Sequence, residues 1–174
     1  MKKFTAVLLL LMLAAAAFAA DFVTEDGRIK LNSATISMNK KTVNAKKDVS
    51  LFIKDEKTAL EVRCGELKLV YEGKASGGLD SVRQAVIKGS VQMVYDAGGN
   101  RYDIRCDSAF YENSILTLAG NVKIDYSGGD MPATATGSRA TMNLAQDPDE
   151  DALLFSIEGD GERARITVPA AAAK

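Results

Sequence analysis

Apolar and polar residues alternate along most of the chain after residue 20, and clusters of Gly, Asn and Asp interrupt the alternation. A period of two places successive side chains on opposite faces of a strand, so this pattern predicts antiparallel β structure. Long runs with apolar residues at three- and four-residue spacing, the mark of an amphipathic helix, do not occur in this part of the sequence. The pattern therefore predicts an all-β fold.

The alternation recurs in four units, each with two arms. The first arm alternates, skips one extra residue and alternates again, and an extra residue predicts a bulge or a bend in mid-strand. Its copies are IKLNSATI (29–36), VRCGELKL (62–69), IRCDSAFY (104–111) and ATGSRATM (135–142).

The second arm centres on the phrase apolar-x-Gly-x-Val-x-apolar, which is clearest in 87–93 and 118–124. Gly inside a strand costs stability, so it predicts a bend or a close approach of two backbones. In the first copy Lys47 stands where the Gly is expected. The copies span 43–53, 86–95, 116–126 and, less regularly, 154–168.

Both arms carry their irregularity at the same level, which predicts that each arm crosses one sheet, turns a corner and continues in a second, facing sheet. With successive arms antiparallel, the result is a bent antiparallel β-jellyroll of about four two-arm units, with an apolar trough inside. An ordinary closed sandwich or barrel with a solid core fits the same pattern.

The first nineteen residues have the features of a secretory signal peptide. Lys2 and Lys3 precede an apolar run, and Ala17-Phe18-Ala19 fits the small-x-small rule, which predicts cleavage after Ala19. A membrane anchor is the weaker alternative, because the run is too short to span a bilayer. We expect a signal peptide at 1–19, a single β domain at 20–168 and a disordered tail at 169–174.

Composition argues against several classes of function. The chain has no His and a formal charge of -1, which becomes -3 once the two lysines of the signal peptide are removed. Without His, the commonest general base and the commonest metal ligand are missing, and two Cys alone do not make a metal site. We expect no catalytic residues, no metal, no cofactor and no nucleic-acid partner.

The two cysteines, Cys64 and Cys106, occupy the same position in two successive first arms. A second arm lies between those arms in a meander, so the two positions are separated by two strand spacings, roughly 9–10 Å. That separation is beyond the reach of a disulfide. We therefore predict two free thiols, each acting as a small apolar residue; a disulfide would require the two first arms to be direct neighbours.

The repeated phrases, above all DSAFY…LTLAGNVKI within 102–126, resemble the OstA-like family, which includes the lipopolysaccharide transport protein LptA and the related LptC. The resemblance covers 21–168. It implies a periplasmic protein with a V-shaped β-jellyroll whose apolar interior holds the acyl chains of lipid A. It also implies edge strands that pair with LptC-like and LptD-like proteins or, head to tail, with further copies.

Two alternatives stay open beside an LptA-like transport protein. The chain could be an exported LptC-like component of the same transporter, although a cleavable signal peptide favours the LptA-like assignment. It could also be a structural or adhesive β-repeat module that binds no lipid. Of the two edges expected in a meander, residues 27–36 form the first and residues 163–169 the last, and the last ends at Pro169.

The inward positions of the arms are the candidate lipid-binding residues, although the same side chains would equally fill a solid core. They are Ile36, Val62, Cys64, Leu67, Leu69, Ile87, Val91, Met93, Ile104, Cys106, Tyr111, Leu116, Leu118, Val122 and Ile124. On the outer face, Lys30, Arg63 and Arg105 are expected to form one row. Such a row could contact phosphates or an acidic partner, but a solvated face is the simpler interpretation.

Overall fold

The computed structural model describes residues 20–23, 27–72, 82–128, 132–144, 155–159, 161 and 163–168, and every structural statement below concerns these residues. They form eleven β-strands and no helix. None of their segments is a helix long and apolar enough to cross a membrane. The expected signal peptide (1–19) and tail (169–174) lie outside the described residues.

Six of the strands are long, with five shorter ones at the two ends of the sheet. The strands are β1 (Ala20–Val23), β2 (Ile29–Ser33), β3 (Thr35–Met38), β4 (Thr42–Lys54), β5 (Thr58–Tyr71), β6 (Val82–Ala97), β7 (Asn100–Glu112), β8 (Ile115–Ser127), β9 (Ala133–Asn143), β10 (Phe155–Glu158) and β11 (Arg165–Thr167).

All eleven strands belong to one antiparallel sheet in the order β1-β2-β4-β5-β6-β7-β8-β9-β10, with β3 also paired to β4 and β11 to β9. Neighbours in the sheet follow the chain order, which makes the sheet a meander. In the described part of the chain the sheet is open, because no pairing joins its first strands to its last. The all-β prediction is confirmed, and the closed-barrel alternative is not what forms.

A line of bulges crosses the centre of the long strands. Each pairing from β4–β5 to β8–β9 has a register shift at this level. On β4, β6 and β8 the bulge consists of two consecutive residues with positive φ, and these pairs are Lys47–Asp48, Gly89–Ser90 and Gly120–Asn121. We call this line the spine. From β4 to β9 it confirms the prediction that first and second arms are irregular at one level.

The extra residue lies on the second arm and not, as the sequence suggested, on the first. Lys88 pairs with Ser108 and Val91 with Cys106, so two residues of β6 stand opposite the single Asp107 of β7. The first arms respond by changing phase: Asp107 and Ser108 both point away from the core. The phase change was visible in the sequence, but the bulge that causes it belongs to the neighbouring strand.

The spine divides the sheet into two halves. The first half contains β1, β2, β11 and the segments 49–54, 58–63, 91–97, 100–105, 122–127 and 133–137. The second half contains β3, β10 and the segments 42–46, 66–71, 82–88, 108–112, 115–119 and 139–143.

The two halves face each other across one apolar core. Tyr102 of the first half meets Phe155 of the second, with ring centroids 6.5 Å apart and an interplanar angle of 86°. These residues lie far apart in their strands and on opposite sides of the spine, so the sheet must fold over at the spine to bring them together. This is the bent jellyroll that the repeat predicted.

The spine of the first unit is built differently, because its first arm is split into β2 and β3 at Ala34. Ser33 is the buried residue at this break and continues the inward alternation of Ile29 and Leu31. Its hydroxyl donates to the carbonyl of Lys46 over 2.6 Å, and the amide of Ala34 donates to the carbonyl of Lys47 over 3.1 Å. A side-chain hydrogen bond thus satisfies a spine carbonyl where strand pairing stops.

The first edge of the sheet differs from the prediction. Residues 29–33 are not an edge, because β1 pairs with β2 from Ala20↔Ser33 to Val23↔Lys30. The outermost strands on this side are β1 in the first half and β3 in the second. On the far side, β11 is the outermost strand of the first half and β10 that of the second half. The predicted last edge at 163–169 is therefore confirmed over Arg165–Thr167, the span of β11. Each edge therefore consists of two short strands.

Gly120 is a position where the bend excludes a side chain. Its φ is +75°, and a Cβ there would lie 2.9 Å from Cγ of Asp107. We expect Gly120→Ala to lower the free energy of unfolding by the left-handed strain, about 1–2 kcal/mol, plus the cost of displacing Asp107. The matched control is Gly99→Ala in the β6–β7 hairpin, where φ is +83° but the space is open. Chemical denaturation should show the larger loss for Gly120→Ala; equal losses would contradict a close approach at the spine.

Candidate functional site: the apolar interior

The predicted interior residues lie together between the two halves of the sheet. All of them are buried in a single apolar core except Ile36, which is half-buried on β3 at the edge of the second half. Ser33 is the only buried polar residue in the described part of the chain. The space between the halves is therefore apolar from one edge of the sheet to the other.

A narrow cavity lies within this core, and both halves line it. Leu51, Val62 and Met93 come from the first half, and Leu69 and Ile87 from the second. Its volume is about 30 Å³, which is room for one or two water-sized molecules. The interior is packed in this state, so any larger apolar guest must displace side chains or separate the halves.

Several residues that line this cavity were not singled out from the sequence. Leu51, Ile53, Leu60, Val82 and Ala85 lie beside the predicted ones, and Leu144 follows β9. Leu51 and Ile53 belong to the second arm at 43–53, whose alternation already marks them as inward, whereas Leu60, Val82 and Ala85 lie on β5 and β6 just before the arms at 62–69 and 86–95. Leu144 lies directly after β9, beyond the end of the alternation, so the pattern did not mark it as an inward residue.

An aromatic cluster joins the two halves at the free ends of the strands, away from the spine. Tyr95, Tyr102 and Tyr126 sit side by side on β6, β7 and β8, with centroid separations of 6.1 and 5.0 Å, and Phe155 of β10 contacts Tyr102. The Tyr126 hydroxyl donates to Oδ1 of Asn100 over 2.8 Å. This cluster closes the open side of the folded sheet at β6–β10.

Burial changes the acidity of several interior groups. Desolvation raises the pKa of Tyr71 to about 12, and it likewise raises that of Tyr102 to about 12, with neighbouring tyrosines adding to the shift. The Tyr71 hydroxyl is buried without a hydrogen-bond partner among the described residues. Such a group loses its hydration without replacement, which costs stability.

The two cysteines are free and buried, as the sequence predicted. Cys64 lies on β5 and Cys106 on β7, and β6 runs between them. Burial raises the pKa of each thiol to about 11, opposed by hydrogen bonds to backbone groups. At neutral pH both are protonated and unreactive, which suits a packing role and not a nucleophilic one.

The outer face separates the three basic residues that the sequence placed in one row. Arg63 and Arg105 do share a row, since both pair with Gln92 of β6. Lys30 lies in the adjacent row, opposite Phe52 of β4. The prediction assumed that equivalent positions of the first arms share a row, and the register between β2 and β4 does not follow that assumption. The expected three-residue row is therefore wrong.

No group of three or more His, Cys, Asp or Glu side chains stands ready to hold a metal ion among the residues that the structure describes. The acidic side chains of the outer face form ion pairs instead. Arg101 contacts Asp103 over 3.1 Å, and Lys123 contacts Asp125 over 2.7 Å. The Lys123 hydrogen bond is the main reason why the pKa of Asp125 is lowered.

Fold and interior together define a class: an open antiparallel sheet, bent along a spine and apolar between its halves. No protein family's sequence profile matches the chain, and neither does any curated protein. Among solved structures, the chain is similar to the crystal structure of LptH from Pseudomonas aeruginosa, the LptA-homologous periplasmic component of the lipopolysaccharide transport device. The TM-score is 0.55 at 11% identity, over 82% of this chain and 94% of that chain. The chain therefore has an LptA-like fold.

The buried acids of the interior give a test at alkaline pH. The unfolded chain releases its thiol protons near pH 9, whereas the folded chain holds them to about pH 11. The thiol contribution to the free energy of unfolding should therefore be constant below pH 9 and be lost as the pH rises from about 9 to about 11, so the free energy of unfolding falls over that range. Denaturant titrations should show this fall, and Cys64→Ala with Cys106→Ala should reduce it. An unchanged fall in the double variant would mean that the thiols do not contribute to it.

Proposed function

We propose that this chain is an LptA-like transport protein of the periplasm, which shields the acyl chains of lipopolysaccharide between the two halves of its sheet. The observation that carries the proposal is the continuous apolar core between the two halves of a sheet whose first and last strands do not pair with each other within the described residues. The likeness to LptH supports it, because nearly the whole of that chain is matched.

Energetics favour such a role for this interior. Each methylene moved out of water is worth about 0.8 kcal/mol, so acyl chains need a continuous escort across an aqueous space. The inward side chains are aliphatic, Ala, Cys, Met or Tyr, and none of the fully buried ones is charged. A wall without charged anchors holds a lipid without fixing it at one point, which is what a conduit requires.

The proposal extends to the parts of the chain beyond the strands and to its partners. We propose that residues 1–19 direct export and are removed after Ala19, and that residues 20–168 act as one domain. The short edge strands β1 and β3 on one side, and β10 and β11 on the other, have unpaired outer edges in the described structure. They would pair with LptC-like and LptD-like proteins or with a second copy. No catalytic role is proposed.

A second candidate function is a structural module with a solid core. The observation that favours it is the small cavity: about 30 Å³ is free between the halves. The two proposals differ in one respect, namely whether the halves admit an apolar guest.

Site-specific photocrosslinking separates the two candidates. A photoreactive amino acid is placed at the inward positions Ile104 and Leu118, and at the outward positions Phe110 and Thr117 as matched controls on the same two strands. After irradiation with lipopolysaccharide, we expect adducts at the inward pair and few at the outward pair. Adducts at neither pair, with the fold intact by circular dichroism, would support the solid module and sink the transport proposal.

A further inference from the structure

A groove of about 360 Å³ opens on the outer face of the sheet, where the spine crosses β8 and β9. Asn121 and Lys123 line it from β8, Thr136 and Ser138 from β9, and Arg163 from the segment before β11. It is separate from the apolar interior: Val122 turns inward to the core, whereas Lys123 and Thr136 face each other on the outer side.

Among the residues that the structure describes, the lining of this groove is rich in donors and includes no carboxylate side chain. Lys123 and Arg163 supply positive charge, Asn121 supplies amide protons and Thr136 supplies a hydroxyl, whereas the hydroxyl of Ser138 donates to the carbonyl of Glu158 over 3.2 Å. The bulge residues Gly120 and Asn121 have no register partners on β9, and backbone amides released from a ladder at positive φ commonly point at anions.

Two carboxylates beside the groove, among the described residues, are already engaged. Asp107 accepts a hydrogen bond from Nδ2 of Asn121 over 2.9 Å. Asp125 contacts Lys123 over 2.7 Å and accepts from the hydroxyl of Thr134 over 2.8 Å. Neither carboxylate is among the lining residues of the groove. The side-chain amide of Asn121 and the ammonium of Lys123 each keep further N–H protons that can bind an anion.

Positive charge is concentrated here at a cost to the fold. Arg105 of β7 stands directly opposite Lys123 of β8, and like charges in directly opposed positions destabilise a sheet. Lys123 and Arg105 both act to lower the pKa of Asp125, and Arg163 adds a further cation to the lining of the groove. An anion bound among them would offset this repulsion.

The repeat provides an internal comparison. The corresponding groove at β4, β5 and β6 has a volume of about 460 Å³, but Asp48 lines it and Arg63 is its only cation. Arg63 is held by Glu61 through Nε at 3.0 Å and Nη2 at 2.8 Å. The excess of positive charge is therefore a property of the β8–β9 groove and not of the repeat.

We propose that the β8–β9 groove binds a phosphate group, as a monoester or diester, on a soluble molecule or a lipid headgroup. A tetrahedral anion with several acceptor oxygens suits donors that converge from three segments of chain, and the Arg fork and Lys ammonium both pair with phosphate. The site is independent of the apolar interior and of the function proposed for it.

The direct test is a titration of the ¹⁵N-labelled full chain with inorganic phosphate, followed by amide chemical shifts. Saturable shifts are expected at Asn121, Gly137 and Ser138. The double variant Lys123→Gln, Arg163→Gln should raise the Kd by about tenfold or more, since a hydrogen bond to a charged group is worth about 1.5–3 kcal/mol. Asp125→Asn should act in the opposite direction and lower the Kd, because it removes the competing carboxylate. Arg63→Gln, in the equivalent groove, should leave the Kd unchanged.

The source of the phosphate is distinguished by sedimentation with vesicles that contain phosphatidylglycerol. Sedimentation that the double variant abolishes would assign a lipid headgroup, and phosphate binding without sedimentation would assign a soluble ligand. Absence of saturable shifts would overturn the proposal. So would equal effects of Arg63→Gln and the double variant, because that result means non-specific screening. Unchanged melting curves for the variants exclude loss of the fold as the cause.

Discussion

One constraint shapes this protein: a single sheet with one apolar face has to cover that face by itself. In the described part of the chain there is no helix and no second sheet to pack against it. Apolar area exposed to water costs roughly 25 cal/mol per Å², so the sheet bends until its halves bury each other. The bend needs residues that twist the strands sharply at one level, and the positive-φ pairs at the spine supply them.

The bend comes with local strain, because Lys47, Asp48, Ser90 and Asn121 adopt positive φ without being Gly. An L residue in this region costs about 1–2 kcal/mol. Such strain persists only where the surrounding structure enforces it, and here the burial of both halves does so. The same bend leaves grooves on the outer side of the spine, so the interior and the outer groove at β8–β9 have a common structural origin.

The interior follows from the same arrangement. Because β4 to β9 run without interruption through both halves, their inward side chains form a continuous apolar lining, and the tyrosine cluster with Phe155 closes its free side at β6–β10. Replacement of contacts between the two halves by contacts with acyl chains would exchange one set of apolar contacts for another. The net free-energy change of such an exchange is small compared with the burial that either set provides, which suits a carrier that must also release its cargo.

Much of this architecture could be predicted from the alternation alone. The arms, the level of the bend, the inward positions such as Ile104 and Leu118, and the free thiols all follow from a period of two and its breaks. The strand that carries the bulge could not be predicted in this way. The phase change is visible in the sequence of β7, whereas the extra residue that causes it lies in β6.

The first edge also escaped prediction, because β1 is only four residues long and carries one alternation. Lys30 was misplaced for a related reason: register is a property of a strand pair and not of one strand. The contact between Tyr102 and Phe155 depends on the angle of the bend, which no sequence period encodes.

The measurement that tests the central claim most directly is paramagnetic broadening by lipopolysaccharide with a spin label on an acyl chain. The isoleucine methyl groups of the protein report on both faces of the sheet. Ile87, Ile104 and Ile124 are buried between the halves, whereas Ile115 and Ile166 are 38% and 58% exposed. An apolar interior that receives acyl chains predicts strong broadening of the three buried methyl signals and weak broadening of the two exposed ones. Broadening of Ile115 and Ile166 alone would show that the lipid only touches the surface, and would contradict the account.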